Sequence, residues 1–477
     1  MNRIVGLETE YGCLVSSDDR QGGPDAFPIR VKNHVFKVAR LGAIDLHYRD
    51  YEEPPGNGGF LLNGGRLYLD MGHIEYSTPE CISLRDVVSF DHAGDLLLHS
   101  ALESMALADR VSFVKNNIDH HTGATFGCHE NYLMQRRAQF TPQVLSALLS
   151  FLATRQVFSG AGRVGQANPL AFEFDHGRHD QPVHFQISQR ADHIVNDIYQ
   201  WVQFNRAIIN ARDEPLADYR QYRRLHLLIG DSNMSEYATA LKVGTTSLVL
   251  DLLEEGILPK RVGLMDPVQA TRDISRDPHY RWIVRLENGQ TRTALEIQHS
   301  FLGLAKHYLA GMDPENDWVI REWENVLAGL EQDPISQVDK IDWVAKKWLL
   351  QTFIEQEHVS WDDPWVQSLD LEYHNIDPRR GLYFALAEQG RTQRVVTPER
   401  VAFCVQNPPS NTRAQARGIA IRHLRDQAGS YIINWDSITV EGKDPLVMNN
   451  PFHPYQSEVV QLLFTDRDGQ SRAPSRT

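Results

Sequence analysis

Apolar and polar residues alternate from the start of the chain. In RIVGLETEYGC this period of two predicts a strand over residues 3–13, with Glu8 and Glu10 on one face and Val5, Leu7 and Thr9 on the other. The period returns in RLYLDM, where Leu67, Leu69 and Met71 alternate with Arg66, Tyr68 and Asp70, predicting a strand over 66–71. Residues 58–64 are glycine-rich and read as a turn leading into it. After a break at Met71-Gly72, His73 and Glu75 again stand two apart. Further strands are expected over 111–116, 131–134, 183–189 and 223–229.

Helical periods carry clear punctuation. Thr141-Pro142 supplies an N-cap and a first-turn proline for VLSALLSFLATRQVF. In SEYATALKVGTTSLVLDLLEEG, Leu241, Thr245, Leu248 and Leu252 line one face, and Gly256 stands at the C-terminal cap. Another helix is expected over 295–310, ending at Gly311. Residues 17–59 and 166–182 read as long loops or insertions. A boundary is placed near 394–397. Beyond it come a helix at TPER, a helix at ARGIAIRHLRDQ, one strand at SYIINWDSITV and a last helix over 457–464. Strands and helices without regular βαβ alternation predict an α+β fold. The expected divisions are a main domain over 1–395, a small C-terminal domain over 396–465 and a polar, frayed tail over 466–477.

Composition narrows the function classes. The 477 residues carry 48 Lys+Arg against 62 Asp+Glu, a formal charge of −14, which disfavours broad nucleic-acid or anionic-membrane binding. Cys13, Cys81, Cys128 and Cys404 are scattered with no CxxC pair, so neither a disulfide framework nor a zinc ribbon is expected. The opening residues do not resemble a signal peptide, and no run of about 18 apolar residues occurs. A cytoplasmic protein with reduced thiols is the expectation.

Four groups of residues carry possible chemistry. Glu8 and Glu10 repel one another unless a cation or protons intervene, and hard cations such as magnesium prefer oxygen ligands. A solvated edge strand fits the same spacing. Arg66, Tyr68, Asp70 and Glu75 suit a phosphate-and-metal site, and equally a solvated mixed-charge face. His129, Glu130 and Asn131 follow a glycine turn in TFGCHENYLM. Arg190, Arg206, Arg212, Arg224 and His226 could neutralise a polyphosphate or lie on the surface. The chain has no GxxxxGK[ST], no strand followed by GxGxxG, no GxSxG and no HExxH.

These stretches, with GLETEYG, NGGRLYLDMGHIEYSTPEC, FVKNNID, GCHENYLM, LSFLATRQVFSGAGRVG, ISQRADHI, AIINARDEP, YRRLHLLIGDSNMSE, LKVGTTSLVLDLLEEG, NPPSNTRAQARG and NWDSI, resemble the Pup ligase/Pup deamidase family. That family is related to glutamine synthetase-type carboxylate–amine ligases. The resemblance runs from residue 1 to about 460 and implies a glutamine synthetase-like curved antiparallel sheet backed by helices in the main domain, with a small C-terminal α+β domain. It implies ATP, or ADP plus phosphate, with Mg2+. By position Glu8, Tyr68 and Glu75 match magnesium ligands, and Glu10 stands beside them. Arg66 and Trp435 match nucleotide contacts, and Thr78, Arg224 and His226 are counted with them. Asp70 matches the catalytic aspartate. His129, Glu130, Asn131, Arg190 and Arg212 are further candidates.

The implied partner is Pup, a disordered ubiquitin-like modifier, together with pupylated or lysine-bearing proteins and a functional link to the bacterial proteasome. No nucleic acid or membrane partner is expected. The ligase branch phosphorylates the modifier's C-terminal glutamate and joins it to a lysine; the deamidase branch hydrolyses a C-terminal glutamine and releases Pup from lysines. The short Asp70-to-Glu75 spacing, DYEEPPGNGGF, GRVG, LDLLEEG, ISRDP, QNPP and WDSI resemble the deamidase. GCHENYL, GDSNMSE and NNPFHPY resemble the ligase, and residues 13–62 are shorter than a deamidase insertion. Ile74 departs from the proline common to both branches, and 166–182 is longer than expected. The deamidase is the preferred reading and the ligase its alternative. A non-catalytic regulator on the same fold and a small-molecule carboxylate–amine ligase are the readings of other classes.

Overall fold

The computed structural model describes residues 1, 3–16, 23–49, 53–120, 122–165, 183–200, 206–427 and 429–465. The expected loop at 166–182 and tail at 466–477 lie outside the described residues, as do 17–22 and 50–52 of the expected loop at 17–59. In chain order the strands are β1 (Val5–Val15), β2 (Gly42–Ile44), β3 (Gly58–Leu61), β4 (Arg66–Asp70), β5 (His73–Ser77), β6 (Val111–Val114), β7 (Cys128–Gln135), β8 (Arg163–Val164), β9 (Phe185–Gln186), β10 (Asn196–Tyr199), β11 (Ala207–Asn210), β12 (Tyr222–Leu227), β13 (Ile283–Arg285), β14 (Thr291–Thr293), β15 (Tyr431–Ile433), β16 (Ser437–Val440) and β17 (Leu446–Val447). The class is α+β: mostly antiparallel sheets backed by helices, with a small C-terminal sheet.

The chain divides into two compact units. The first gathers residues within 2–113, 214–222 and 396–477. Its strands run in the order β1-β5-β4-β3-β2, each antiparallel to its neighbour in that order, and β6 also pairs with β1. The inner face is apolar. Leu67, Ile74, Tyr76 and Tyr11 are fully buried, and the helix Leu84–Ser104 backs β1. Ser83 caps that helix by accepting from the Asp86 N–H at 3.0 Å. The C-terminal part adds the helices Pro398–Cys404, Ala414–Leu424 and Gln456–Phe464 and the sheet β15-β16-β17. Phe60, Leu62, Ala416, Ala420, Ile421, Ile438 and Met448 form its core.

The second unit holds residues 114–213 and 223–395 with Met1. Its strands run β10-β11-β12-β7; β10 and β11 are parallel, β11 and β12 antiparallel. Helix Glu236–Glu254 is buried along most of its length and packs with Pro142–Thr154, Ala294–Tyr308 and Pro314–Gln332. Thr141 caps as the sequence predicts, Ser235 caps the helix Glu236–Glu254, and Thr293 with Glu296 completes a capping box. Gly256 and Gly311 both take positive φ after their helices.

Several expectations are corrected. Residues 58–61 form strand β3, and the turn lies after it. Gly58 is a strand residue because β4 runs so close that a Cβ there would stand 2.3 Å from Tyr68 Cβ. The single strand expected in SYIINWDSITV is a hairpin, β15 and β16, with Trp435 in its turn. The strand expected over 183–189 shrinks to Phe185–Gln186. The supposed loop at 17–59 contains the helix Ala26–Asn33, whose Phe27 and Val31 are fully buried.

Candidate active site

Strand register builds an acidic row in the first unit. Glu10 stands opposite Glu75, and Glu75 stands opposite Tyr68. One step along, Glu8 faces Ser77 and Ser77 faces Arg66. Since side chains alternate, Glu8, Glu10, Glu75, Arg66, Tyr68 and Asp70 share one face. Asp70 closes the row from the last paired position of β4, opposite His73. Between them Met71 and Gly72, at φ +45° and +94°, make a two-residue hairpin turn. Carboxylate oxygens of Glu10, Asp70 and Glu75 lie within 4.8 Å of one another. Glu75 is 3% exposed, and the Tyr68 hydroxyl donates to it at 2.5 Å. Burial, then the charges of Glu10 and Glu8, push the Glu75 carboxyl well above the usual range. Glu8, Glu10 and Glu75 with the Tyr68 phenol are hard oxygen donors on one face, and a divalent cation would relieve the mutual repulsion of the carboxylates. The set therefore fits magnesium.

The reverse face holds β1 in place. The Thr9 hydroxyl donates to Asp91 at 3.3 Å and the Tyr11 hydroxyl to Asp95 at 2.7 Å, both acids on the helix Leu84–Ser104. Burial and then Asp95 push the Tyr11 phenol well up, so it stays a donor.

The expected nucleotide residues of this unit take different roles. Arg66 is bidentate to Glu53 at 3.1 and 2.7 Å. Glu53 lies on a segment that Lys32 holds through the Gly56 carbonyl at 2.6 Å and Arg49 through the Ile433 carbonyl at 3.1 Å. The Thr78 hydroxyl is buried and accepts from the Leu7 N–H at 3.0 Å, which ties β1 to the end of β5. Trp435 is half-buried, edge-on to Phe60 with centroids 5.0 Å apart. Beneath it lies a network missed from the sequence, in which Glu80 accepts from Arg413 Nε at 2.7 Å and from both terminal nitrogens of Arg417. The available signal was a pair of arginines four apart at the start of a helix, Arg413 and Arg417. Nothing local showed that one buried acid receives both.

In the second unit β7 alternates, so His129 and Asn131 share the less buried face. The His129 ring stands 5.2 Å from that of His226, which pairs with Asn210 across β11 and β12. Arg224 shares the His226 side of β12, and its N–H donates to Asp213 at 3.1 Å. Glu130 faces the opposite way. It is fully buried against Arg155, which donates to both its oxygens, and Tyr132, whose hydroxyl donates at 2.6 Å. Arg190 is buried too, donating to the Phe126 carbonyl at 2.6 Å and through its N–H to Asp231 at 3.1 Å. The Arg212 side chain is exposed.

A profile described as Pup-ligase protein matches residues 3–439. A protein of Mycolicibacterium smegmatis named Pup deamidase/depupylase is 39% identical over 94% of this chain and 93% of its own. The solved complex between the modifier Pup and its ligase PafA matches with a TM-score of 0.82 and 35% identity, covering 97% of this chain and 91% of that one. The ligase PafA in complex with ADP matches with a TM-score of 0.76 and 35% identity, over 94% and 96%. The acidic row lies within the matched residues, and the chain belongs to the Pup-ligase protein family, which includes proteins named for both ligation and deamidation.

Proposed function

We propose that this Pup-pathway enzyme is a Pup deamidase/depupylase, hydrolysing the amide at the modifier's C-terminal side chain or the isopeptide that joins the modifier to a lysine. The observation carrying the reading is the two-residue turn between Asp70 and His73, which makes the short Asp70-to-Glu75 spacing that resembles the deamidase branch. That turn brings the Asp70 carboxylate within 4.8 Å of Glu10 and Glu75 at the half-buried end of the row. An aspartate so placed acts as the base or nucleophile that starts attack on an amide carbonyl. Water supplies the oxygen of the new carboxylate, either attacking directly or cleaving the acyl-aspartate formed first, and its proton goes to the departing ammonia of a glutamine or the lysine amine of a conjugate. Glu8, Glu10, Tyr68 and Glu75 would hold magnesium, with Arg66 and Trp435 on the nucleotide; ADP in a PafA relative supports that part. The metal, when bound, supplies electrostatic stabilisation of phosphate and carbonyl oxygens.

The ligase reading rests on the ligase name of relatives such as that of Kineococcus radiotolerans, 36% identical over 97% of this chain. In that reaction Asp70 would take a proton from the attacking lysine. Mass spectrometry of a Pup-type modifier ending in glutamine, incubated with this protein, ATP and magnesium, separates the two. Conversion of the amide to the acid supports the deamidase. No conversion, with a lysine adduct formed by a modifier ending in glutamate, establishes the ligase. Failure of both would favour a regulator or a small-molecule ligase.

A further inference from the structure

We propose that Arg417 is a positioning residue for the nucleotide, fixing the Trp435 ring by anchoring its turn to the turn before β4; this rests on the reading that Trp435 contacts nucleotide. Arg417 has 0% exposure. Its Nε and Nη2 donate to the Gly64 carbonyl at 3.0 and 2.9 Å. Its Nη1 donates to the Trp435 carbonyl at 2.8 Å and to Glu80 at 3.0 Å, and Nη2 also donates to Glu80. All five N–H donors of the fork are therefore used. The same guanidinium stands 4.8 Å from the Trp435 ring centroid and 5.6 Å from that of Phe60.

One side chain thus ties four segments together: the turn leading into Arg66, Glu80 after β5, the helix Ala414–Leu424 and the turn holding Trp435. At Gly64, φ is +78° and an added Cβ would stand 2.7 Å from the Ala414 carbonyl, so turn and helix meet too closely for a side chain between them. A lysine at 417 keeps one charge for Glu80 but offers a single ammonium, which cannot span the Gly64 and Trp435 carbonyls together.

The test is a double-mutant cycle on the full chain, with ADP affinity measured by calorimetry in magnesium. Trp435→Ala weakens binding. Arg417→Lys weakens it by roughly three- to tenfold, the range for one or two lost hydrogen bonds, and leaves kcat at saturating nucleotide unchanged. In the double variant ADP binds no more weakly than in Trp435→Ala alone, because Arg417 acts through that ring. Additive losses, or wild-type affinity in Arg417→Lys beside a weakened Trp435→Ala, overturn the inference alone. Wild-type affinity in Trp435→Ala instead overturns the nucleotide role of Trp435 and the inference with it. If Arg417→Lys does not fold, Glu80→Gln replaces it in the same cycle, since it removes the acid that aims the guanidinium. Its loss must likewise vanish beside Trp435→Ala, and a loss that persists there overturns the inference.

Discussion

Replacing Glu80 by glutamine should cost the protein stability that depends on pH in a calculable way. Burial pushes the Glu80 carboxyl up, and Arg417 and Arg413 more than offset this, holding it at about 2 against an ordinary 4.5. A folded-state value below the unfolded one stabilises the fold above the unfolded value, and that contribution fades as pH falls through the folded value. The difference corresponds to about 3 kcal/mol at pH 7. At pH 3.5 the unfolded carboxyl is mostly protonated and the folded one is not, leaving about 2 kcal/mol. Breaking a buried ion pair by removing one partner costs about 3–5 kcal/mol, so two separate routes agree near neutral pH. Glu80→Gln keeps the shape and removes the charge. Denaturant unfolding of both proteins should show a deficit of about 3 kcal/mol at pH 7 that narrows in acid and closes toward pH 2. Subtracting the two proteins cancels the other carboxylates. A deficit that is constant from pH 7 to pH 3, or absent at pH 7, would refute the reasoning.

Three further outcomes are expected. Asp70→Asn should lower turnover by about a hundred- to ten-thousandfold while ADP titration and circular dichroism stay as in the wild type; full activity would point to a non-catalytic regulator. Glu8→Ala should abolish magnesium-dependent ADP binding in calorimetry, and unchanged affinity would remove it from the ligand set. Glu130→Ala strands the buried Arg155 charge and should cost about 3–5 kcal/mol in denaturant unfolding, with ADP affinity unaltered in the folded fraction; a selective loss of nucleotide binding would restore Glu130 as a site residue.

Alternation was the strongest signal in this chain. It put Glu8 and Glu10 on one face of β1 and Arg66, Tyr68 and Asp70 on one face of β4, and the register keeps both sets. The limits have physical causes. Glycine pairs at 58–59 look like a turn, yet they also allow two strands to approach where a Cβ cannot fit. The hairpin in SYIINWDSITV did carry a turn signal in Asn434 and Asp436, but that signal is short and brackets the strand-favouring Trp435, so the flanking β-branched residues read as one strand. Among the basic and polar candidates, sequence could not separate the exposed Arg212 from the buried Arg190, whose guanidinium binds a backbone carbonyl. Glu130 was misleading for a related reason: His129 and Asn131 flank it, but alternation on β7 turns it toward the helices.

The arrangement of β1 suggests why polar residues line an otherwise apolar face. Glu8, Glu10 and Glu75 repel, and a strand carrying such charges gains by sliding or twisting away unless it is held from behind. Apolar packing alone resists separation but permits small shifts along the strand, because dispersion is weakly directional. Hydrogen bonds from Thr9 to Asp91 and from Tyr11 to Asp95 are directional, and they join alternate residues of β1 to acids four apart on one helix. The Thr78 hydroxyl adds a third fixed point at Leu7. The three tied residues, Leu7, Thr9 and Tyr11, interleave with Glu8 and Glu10. Each carboxylate therefore stands between two anchored positions, which keeps the acidic row in register against its own repulsion.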